Sequence, residues 1–162
     1  MPDNFEKVFE NIQKYIVGDA SEPYSDKVLT LAYEPVNVGE IENPDGIARV
    51  MGECGDWMQI YLKITSDTIS EARFLTDGCG ATMACGSAVT ELVRGRSQWE
   101  AIKIYPQTVI RYLDGLPASH MHCAVLAVQA LKEALKSLKS SPEKEGTQPH
   151  LRNTENDRRD SE

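Results

Sequence analysis

The amino-acid sequence changes its hydrophobic periodicity within residues 57–94, which read WMQIYLKITSDTISEARFLTDGCGATMACGSAVTELVR. Residues 57–65 alternate in polarity and carry β-branched and aromatic side chains, and residues 68–76 form a similar run after a Ser66-Asp67 turn. Such runs, joined by so short a link, predict two antiparallel strands. The small residues that follow predict a helix over 81–94. The stretch therefore predicts a small sheet with a helix beside it.

The flanking sequence extends this unit on both sides. Residues 47–51 predict a further strand, which completes a three-stranded antiparallel meander. The patterns also predict helices over residues 26–34 (with Ser25 as N-cap), 97–103, 106–113 and 120–138. The predicted fold class is α+β: a small three-stranded antiparallel sheet, packed with helices on one side, and a long C-terminal helix.

The ends of the chain differ from this central part. Residues 1–22 form a predicted N-terminal helical extension, with an apolar helical face over 5–17. Residues 23–138 form the predicted domain. Residues 139–162 are charged and hold one large aliphatic side chain, Leu151, so we expect this tail to be disordered.

The composition narrows the class of protein. The 162 residues are 41% hydrophobic and carry a formal net charge of -8. Acidic balance argues against nucleic acid as a partner, because phosphate binding requires clustered Lys and Arg. Apolar runs are too short to cross a membrane, and the N-terminus does not resemble a signal peptide. We therefore expect a cytoplasmic protein without a membrane partner.

Three of the four cysteines lie at predicted boundaries between elements. Cys54 lies in Gly-Glu-Cys-Gly-Asp, Cys79 in Asp-Gly-Cys-Gly, and Cys123 in His-Met-His-Cys. Cytosolic thiols stay reduced, so metal binding or redox chemistry explains them better than disulfides. The fourth, Cys85, shares an apolar helical stripe with Val89, which indicates core packing.

The local chemistry favours a soft metal. Glycines beside Cys54 and Cys79 leave room for a bulky group, and the predicted helix starts at Cys79 and Cys123 favour thiolates. Thiolates suit iron–sulfur clusters or zinc. Taken singly, each cysteine could be a small buried residue, Asp56 a turn acid, and His120 and His122 solvated side chains.

Several motifs together resemble one known family. They are Tyr24-Ser25-Asp26-Lys27-Val28, Asn37-Val38-Gly39, GECGDWM at 52–58, ARFLTDGCGATMACGSAVTELVRGRS at 72–97 and LPASHMHCAVLA at 116–127. In this order they resemble the IscU/NifU-type iron–sulfur cluster assembly scaffold, over about Tyr24 to Leu138. The resemblance implies the SufE/NifU fold. It also implies a non-enzymatic function: building a cluster, of the 2Fe-2S type, and transferring it to other proteins.

The resemblance also implies a site and partners. The implied ligands are Cys54, Cys79 and Cys123, with Asp56 or, as a second candidate, His122 as the fourth, and Zn as a substitute in the apo form. Cys123 is the candidate sulfur acceptor. The implied partners are a cysteine desulfurase of the IscS/NifS type, an iron donor and apo iron–sulfur proteins, and a homodimer or other homo-oligomer is compatible. Many bacterial members carry Leu-Pro-Pro-Val-Lys where this chain has Leu-Pro-Ala-Ser-His at 116–120, which puts docking of an Hsp70-type chaperone in doubt.

Two other functions compete with the scaffold. One is a zinc-dependent or thiol-based sulfurtransferase, which would use the same Cys, Asp and His side chains. The other is a structural zinc module, whose metal would be needed for folding. Reconstitution without oxygen, read by its colour, separates these alternatives from a scaffold.

Overall fold

In the computed structural model, which describes residues 24–138, the three predicted strands form one antiparallel sheet and lie in it in chain order. The predicted helix 5–17 and the tail 139–162 lie outside the described residues. The elements are α1 (Asp26–Tyr33), β1 (Gly46–Met51), β2 (Trp57–Thr65), β3 (Thr68–Thr76), α2 (Gly80–Val93), α3 (Gln98–Ala101), α4 (Pro106–Tyr112), a 3₁₀ turn (Ala118–His120) and α5 (Met121–Lys136). The α+β prediction is confirmed, and each boundary lies within a few residues of its predicted place.

Alternation along β2 explains how the sheet acquires its core face. Met58, Ile60 and Leu62 lie on one face of the strand and are fully buried. Helix α5 packs over β1 and β2, and α2 packs over β3. Gly86 of α2 permits this close packing, because a Cβ there would overlap the ring of Phe74 on β3. The small residues of the sequence motif are therefore the residues that bring α2 against the sheet.

The β2–β3 turn is tight, as predicted. Thr65 pairs with Thr68, and the two residues between them, Ser66 and Asp67, both have positive φ values of 51° and 61°. Two positive φ values in a two-residue link match the twist of the flanking strands. The hairpin is thus short, and β3 returns alongside the whole length of β2.

Helix α1 begins as predicted. The side chain of Ser25 accepts a hydrogen bond from the backbone N–H of Val28, which caps the helix. The loop after it is less irregular than the sequence indicates, because Asn37 and Gly39 exchange backbone hydrogen bonds with Phe74 of β3. The segment therefore lies along the outer edge of the sheet.

The topology gathers three chain segments at one end of the sheet. Residues 52–56 join β1 to β2, and residues 77–79 follow β3, which runs antiparallel to β2. The Asp77 carboxylate accepts a hydrogen bond of 2.8 Å from the N–H of Trp57, which ties the two loops together. The side chain of Leu126 on α5 lies near Gly52. The end of the sheet thus holds both loops and the start of α5. No helix in the described residues is long and apolar enough to cross a membrane.

Candidate metal-binding thiol site

Cys54 is displayed by a tight loop. The N–H of Gly52 donates to the carbonyl of Asp56 and the N–H of Gly55 donates to the carbonyl of Gly52. Gly55 has a φ of 83°, a conformation that glycine adopts without strain. The loop leaves the Cys54 thiol exposed to solvent.

Cys79 is the N-cap residue of α2 and is also exposed. Its pKa is lowered to about 4, first because the Cys123 thiol donates a hydrogen bond to it. Burial opposes this effect, and donors from Thr82 and Ala81 in the first turn of α2 strengthen it. The predicted thiolate at this helix start agrees with the structure.

Cys123 lies in the first turn of α5 and is only 1% exposed. Its pKa is raised well above its usual range, first by its hydrogen bond with Cys79 and then by burial. The prediction that the helix start would favour a thiolate at Cys123 is therefore wrong for the protein without metal. The Cys123 thiol donates its proton in a hydrogen bond to the Cys79 thiolate and is shielded from solvent. Both effects raise its pKa, and together they outweigh the helix dipole, which lowers it.

His122 connects two of the cysteines. Its Nε2 lies 3.3 Å from the Sγ of Cys54 and 3.7 Å from the Sγ of Cys123. The Thr82 hydroxyl contacts the sulfurs of both Cys123 and Cys79, so the three predicted cysteine ligands and His122 are linked in one chain of contacts. The residues that supply them lie far apart in the sequence, and only the fold brings them together.

Asp56 is placed differently. It is half-buried, and its carboxylate has no hydrogen bond or ion pair with another residue in 24–138. Within the same residues, no three His, Cys, Asp or Glu side chains are arranged so that they could already hold a metal ion. The thiols are thus neighbours, but they do not converge on a preformed coordination site.

Cys85 is fully buried in the core, as its apolar stripe predicts. Burial, followed by the nearby Cys79, raises the pKa of this thiol well above its usual range. A buried, protonated thiol is a poor ligand and a poor nucleophile. Cys85 therefore belongs to the packing of α2.

Three other side chains, none of them predicted from the sequence to be a ligand, surround the thiols. The Thr82 hydroxyl contacts the sulfurs of Cys79 and Cys123. The buried Tyr24 hydroxyl lies 3.0 Å from both ring nitrogens of His120, whose ring stacks on His122 with 6.1 Å between centroids. Burial, followed by the nearby Cys79 and Cys123 sulfurs, raises the pKa of Tyr24 to about 12. Thr82 follows Cys79 by three residues, so helical spacing was a usable signal for it.

Comparison with known proteins identifies the family to which this chain belongs. The family model described as "NifU-like N terminal domain" matches residues 23–145. The chain is 43% identical over 113 residues to the iron-sulfur cluster assembly scaffold protein IscU 1 of Archaeoglobus fulgidus, which covers 69% of this chain and 74% of that protein.

Two further proteins are similar. The iron-sulfur cluster assembly scaffold protein IscU of Escherichia coli K12 is 40% identical over 125 residues, 74% of this chain and 97% of that protein. The crystal structure of the N-terminal part of a nitrogen-fixing NifU-like protein from Brucella abortus superposes with a TM-score of 0.58 at 17% identity, over 70% of this chain and 92% of that one. By its sequence and its fold, this chain belongs to the NifU-like N-terminal domain family.

Proposed function

We propose that this chain is a scaffold on which an iron–sulfur cluster is assembled and from which it is transferred to apo-proteins. The observation that carries the proposal is the continuous chain of contacts from Cys54 through His122, Cys123 and the Thr82 hydroxyl to Cys79. It places three soft sulfur donors at one exposed end of the sheet. The scaffold names of the relatives support the same function.

The cluster is the cargo of this protein. Cys54, Cys79 and Cys123 would each lose a proton and ligate iron through sulfur, in a cluster of the 2Fe-2S type. Cys54 and Cys79 are exposed to solvent, which suits a site that must accept and release its cargo. Zinc can occupy the same donors in the absence of iron, because thiolate and imidazole also suit that metal.

The fourth ligand is Asp56 or His122. His122 already contacts two of the three ligand sulfurs, which supports it. Asp56 follows Cys54 by two residues, and within residues 24–138 its carboxylate makes no hydrogen bond or ion pair, which supports a weaker oxygen ligand that is easily exchanged. The two assignments predict different transfer behaviour.

Sulfur would come from a cysteine desulfurase, iron from a separate donor, and the products would be acceptor proteins with loaded clusters. We assign the sulfur acceptor to Cys123. Because Cys123 is buried while Cys54 and Cys79 are exposed, delivery to it requires that the bound desulfurase uncovers the first turn of α5. Isotopically labelled sulfane sulfur, mapped by mass spectrometry, should be found on Cys123. Label confined to Cys79 or Cys54 would show that the labelled cysteine, and not Cys123, is the sulfur acceptor.

We further propose that the scaffold domain is 23–138, with 1–22 and 139–162 outside it, and that the protein works in the cytoplasm without turning over a small substrate. A sulfurtransferase would form product catalytically from a sulfur donor and a small acceptor. A structural zinc module would unfold when zinc is chelated. A scaffold forms no product catalytically and stays folded when zinc is removed.

Reconstitution with ferrous iron and sulfide in the absence of oxygen tests the proposal. The full chain should develop the visible absorption of a cluster, and Cys54→Ala, Cys79→Ala and Cys123→Ala should each lose it, because each removes one thiolate ligand. Cys85→Ala is the matched control and should keep it. A chain that gains no cluster, or that depends on Cys85 instead of Cys79, would overturn this function.

A further inference from the structure

The Thr82 hydroxyl lies between two of the three ligand cysteines. Thr82 is in the first turn of α2 and is 1% exposed. Its Oγ1 donates to the Sγ of Cys123 at 3.4 Å and lies 3.6 Å from the Sγ of Cys79. In the described part of the chain these sulfurs are its hydrogen-bonding partners. Because this buried hydroxyl makes its hydrogen bonds with two sulfurs, the positions of both sulfurs are coupled to the position of the hydroxyl.

The surroundings fix the position of Thr82. A Cβ added at Gly78 would lie 2.6 Å from both the Cβ and the Oγ1 of Thr82, so the absence of a side chain at Gly78 makes room for it. The turn that carries Cys79 and the helix that carries Thr82 are thereby packed directly together.

A second buried threonine on the same helix shows what is particular to Thr82. The Thr90 hydroxyl donates to backbone carbonyls one turn earlier, Gly86 at 2.7 Å and Ser87 at 3.0 Å. This is the usual arrangement of threonine within a helix. Thr82 stands too near the start of α2 for that pattern, and its hydroxyl is directed to the cysteines instead.

The chemistry of a hydroxyl suits this place. It has one proton and two lone pairs, and it rotates freely about its C–O bond. It can therefore donate to whichever of the two sulfurs carries the charge. Hydrogen bonds of this kind orient metal ligands and commonly alter metal affinity by about 10–100-fold when they are removed.

We propose that Thr82 is a positioning residue that holds the thiols of Cys79 and Cys123 as a pair for the incoming metal. The inference rests on the proposed function in that both cysteines are taken as ligands of the cargo. It adds a residue that does not itself touch the metal. It also explains how a buried and an exposed sulfur are kept on the same side of the site.

Anaerobic titration of the metal-free full chain with Co²⁺ tests this proposal, because thiolate ligation gives a charge-transfer absorption band. Thr82→Val, which keeps the shape and removes the hydroxyl, should bind Co²⁺ at least about tenfold more weakly and shift the band. Thr82→Ser should recover both. Thr90→Val removes a buried hydroxyl that touches no cysteine and should match the wild type. The shift of the band, unlike a loss of packing, reports the sulfur environment directly.

Several outcomes would overturn the proposal: equal affinity in wild type and Thr82→Val, equal weakening in Thr90→Val, no recovery in Thr82→Ser, or a wild type that shows no thiolate band. If circular dichroism shows Thr82→Val to be unfolded, Thr82→Ala and Thr82→Ser give the same comparison. A wild type that binds Co²⁺ through thiolates but assembles no cluster from iron and sulfide would refute the scaffold function and leave the role of Thr82 supported.

Discussion

Cys79 and Cys123 both stand at the start of a helix, yet their thiols are opposite in character. Cys79 caps α2 from outside the helix, is exposed and has a pKa of about 4. Cys123 lies inside the first turn of α5, is buried and has a raised pKa. A helix start therefore does not by itself make a thiolate. Whether the thiol ionises depends on how many hydrogen-bond donors point at the sulfur and on whether water reaches it.

Alkylation of the protein without metal provides the strongest test of this contrast. Cys79 should react with iodoacetamide at least about tenfold faster than Cys123, because modification of a buried thiol requires local opening of the structure. Cys85, also buried, should react as slowly as Cys123. Peptide mapping over time gives the three rates. Faster labelling of Cys123 than of Cys79 would refute the contrast.

The pH dependence of the Cys79 reaction sharpens the comparison. Only the thiolate reacts, and a pKa of about 4 means that Cys79 is already ionised at pH 6. Its rate should therefore be nearly constant between pH 6 and pH 9. An ordinary free thiol, whose pKa is about 8.5, should gain roughly tenfold per pH unit up to about pH 8 and less above it.

The variant Cys123→Ala removes the largest cause of that lowered pKa. The Cys79 rate should then fall at pH 6 relative to the wild type and recover toward pH 9. Cys85→Ala serves as the control and should leave the profile flat. A profile that stays flat in Cys123→Ala would show that the backbone donors of α2 suffice.

The two candidates for the fourth ligand, Asp56 and His122, can be compared in the same way as the two thiols. We expect Asp56→Ala to retain a cluster but to transfer it several-fold more slowly to an apo-ferredoxin, because a weak oxygen ligand gives an incoming thiol its point of entry. Transfer rates followed by circular dichroism at equal loading measure this. Equal rates in Asp56→Ala, together with weak loading in His122→Ala, would assign the fourth position to His122.

Cys85→Ala should have the smallest effect. Removal of a buried sulfur from α2 leaves a small cavity, so we expect a loss of about 1 kcal/mol in the free energy of unfolding. Urea denaturation of the metal-free protein gives the value. A loss of cluster assembly in this variant would show that Cys85 takes part in the site.

The sequence predicts the elements well and the site only in part. The strands, the Ser25 cap and the packing role of Cys85 follow from local patterns of polarity, and local interactions largely determine them. The cysteines could be chosen because they stand at element boundaries. Their relative positions could be anticipated only in outline.

The remaining features depend on contacts between distant parts of the chain. His122 meets Cys54 across 68 residues, and Tyr24 meets His120 across 96. The raised pKa of Cys123 arises from Cys79 and from burial under the rest of the fold. A local sequence pattern does not show which distant residues become neighbours in the fold. The prediction of a thiolate at Cys123 was therefore wrong, while the same prediction at Cys79 was right.

The origin of the site in three separate segments has a consequence for protein synthesis. A ribosome releases the N-terminal part of a chain first, so Cys54 and Cys79 emerge well before Cys123. Until α5 has been made and has packed over β1 and β2, neither His122 nor the third thiol is in place. A nascent chain thus offers stray metal ions an incomplete set of donors. If these side chains hold the cargo as proposed, loading waits until translation has passed α5.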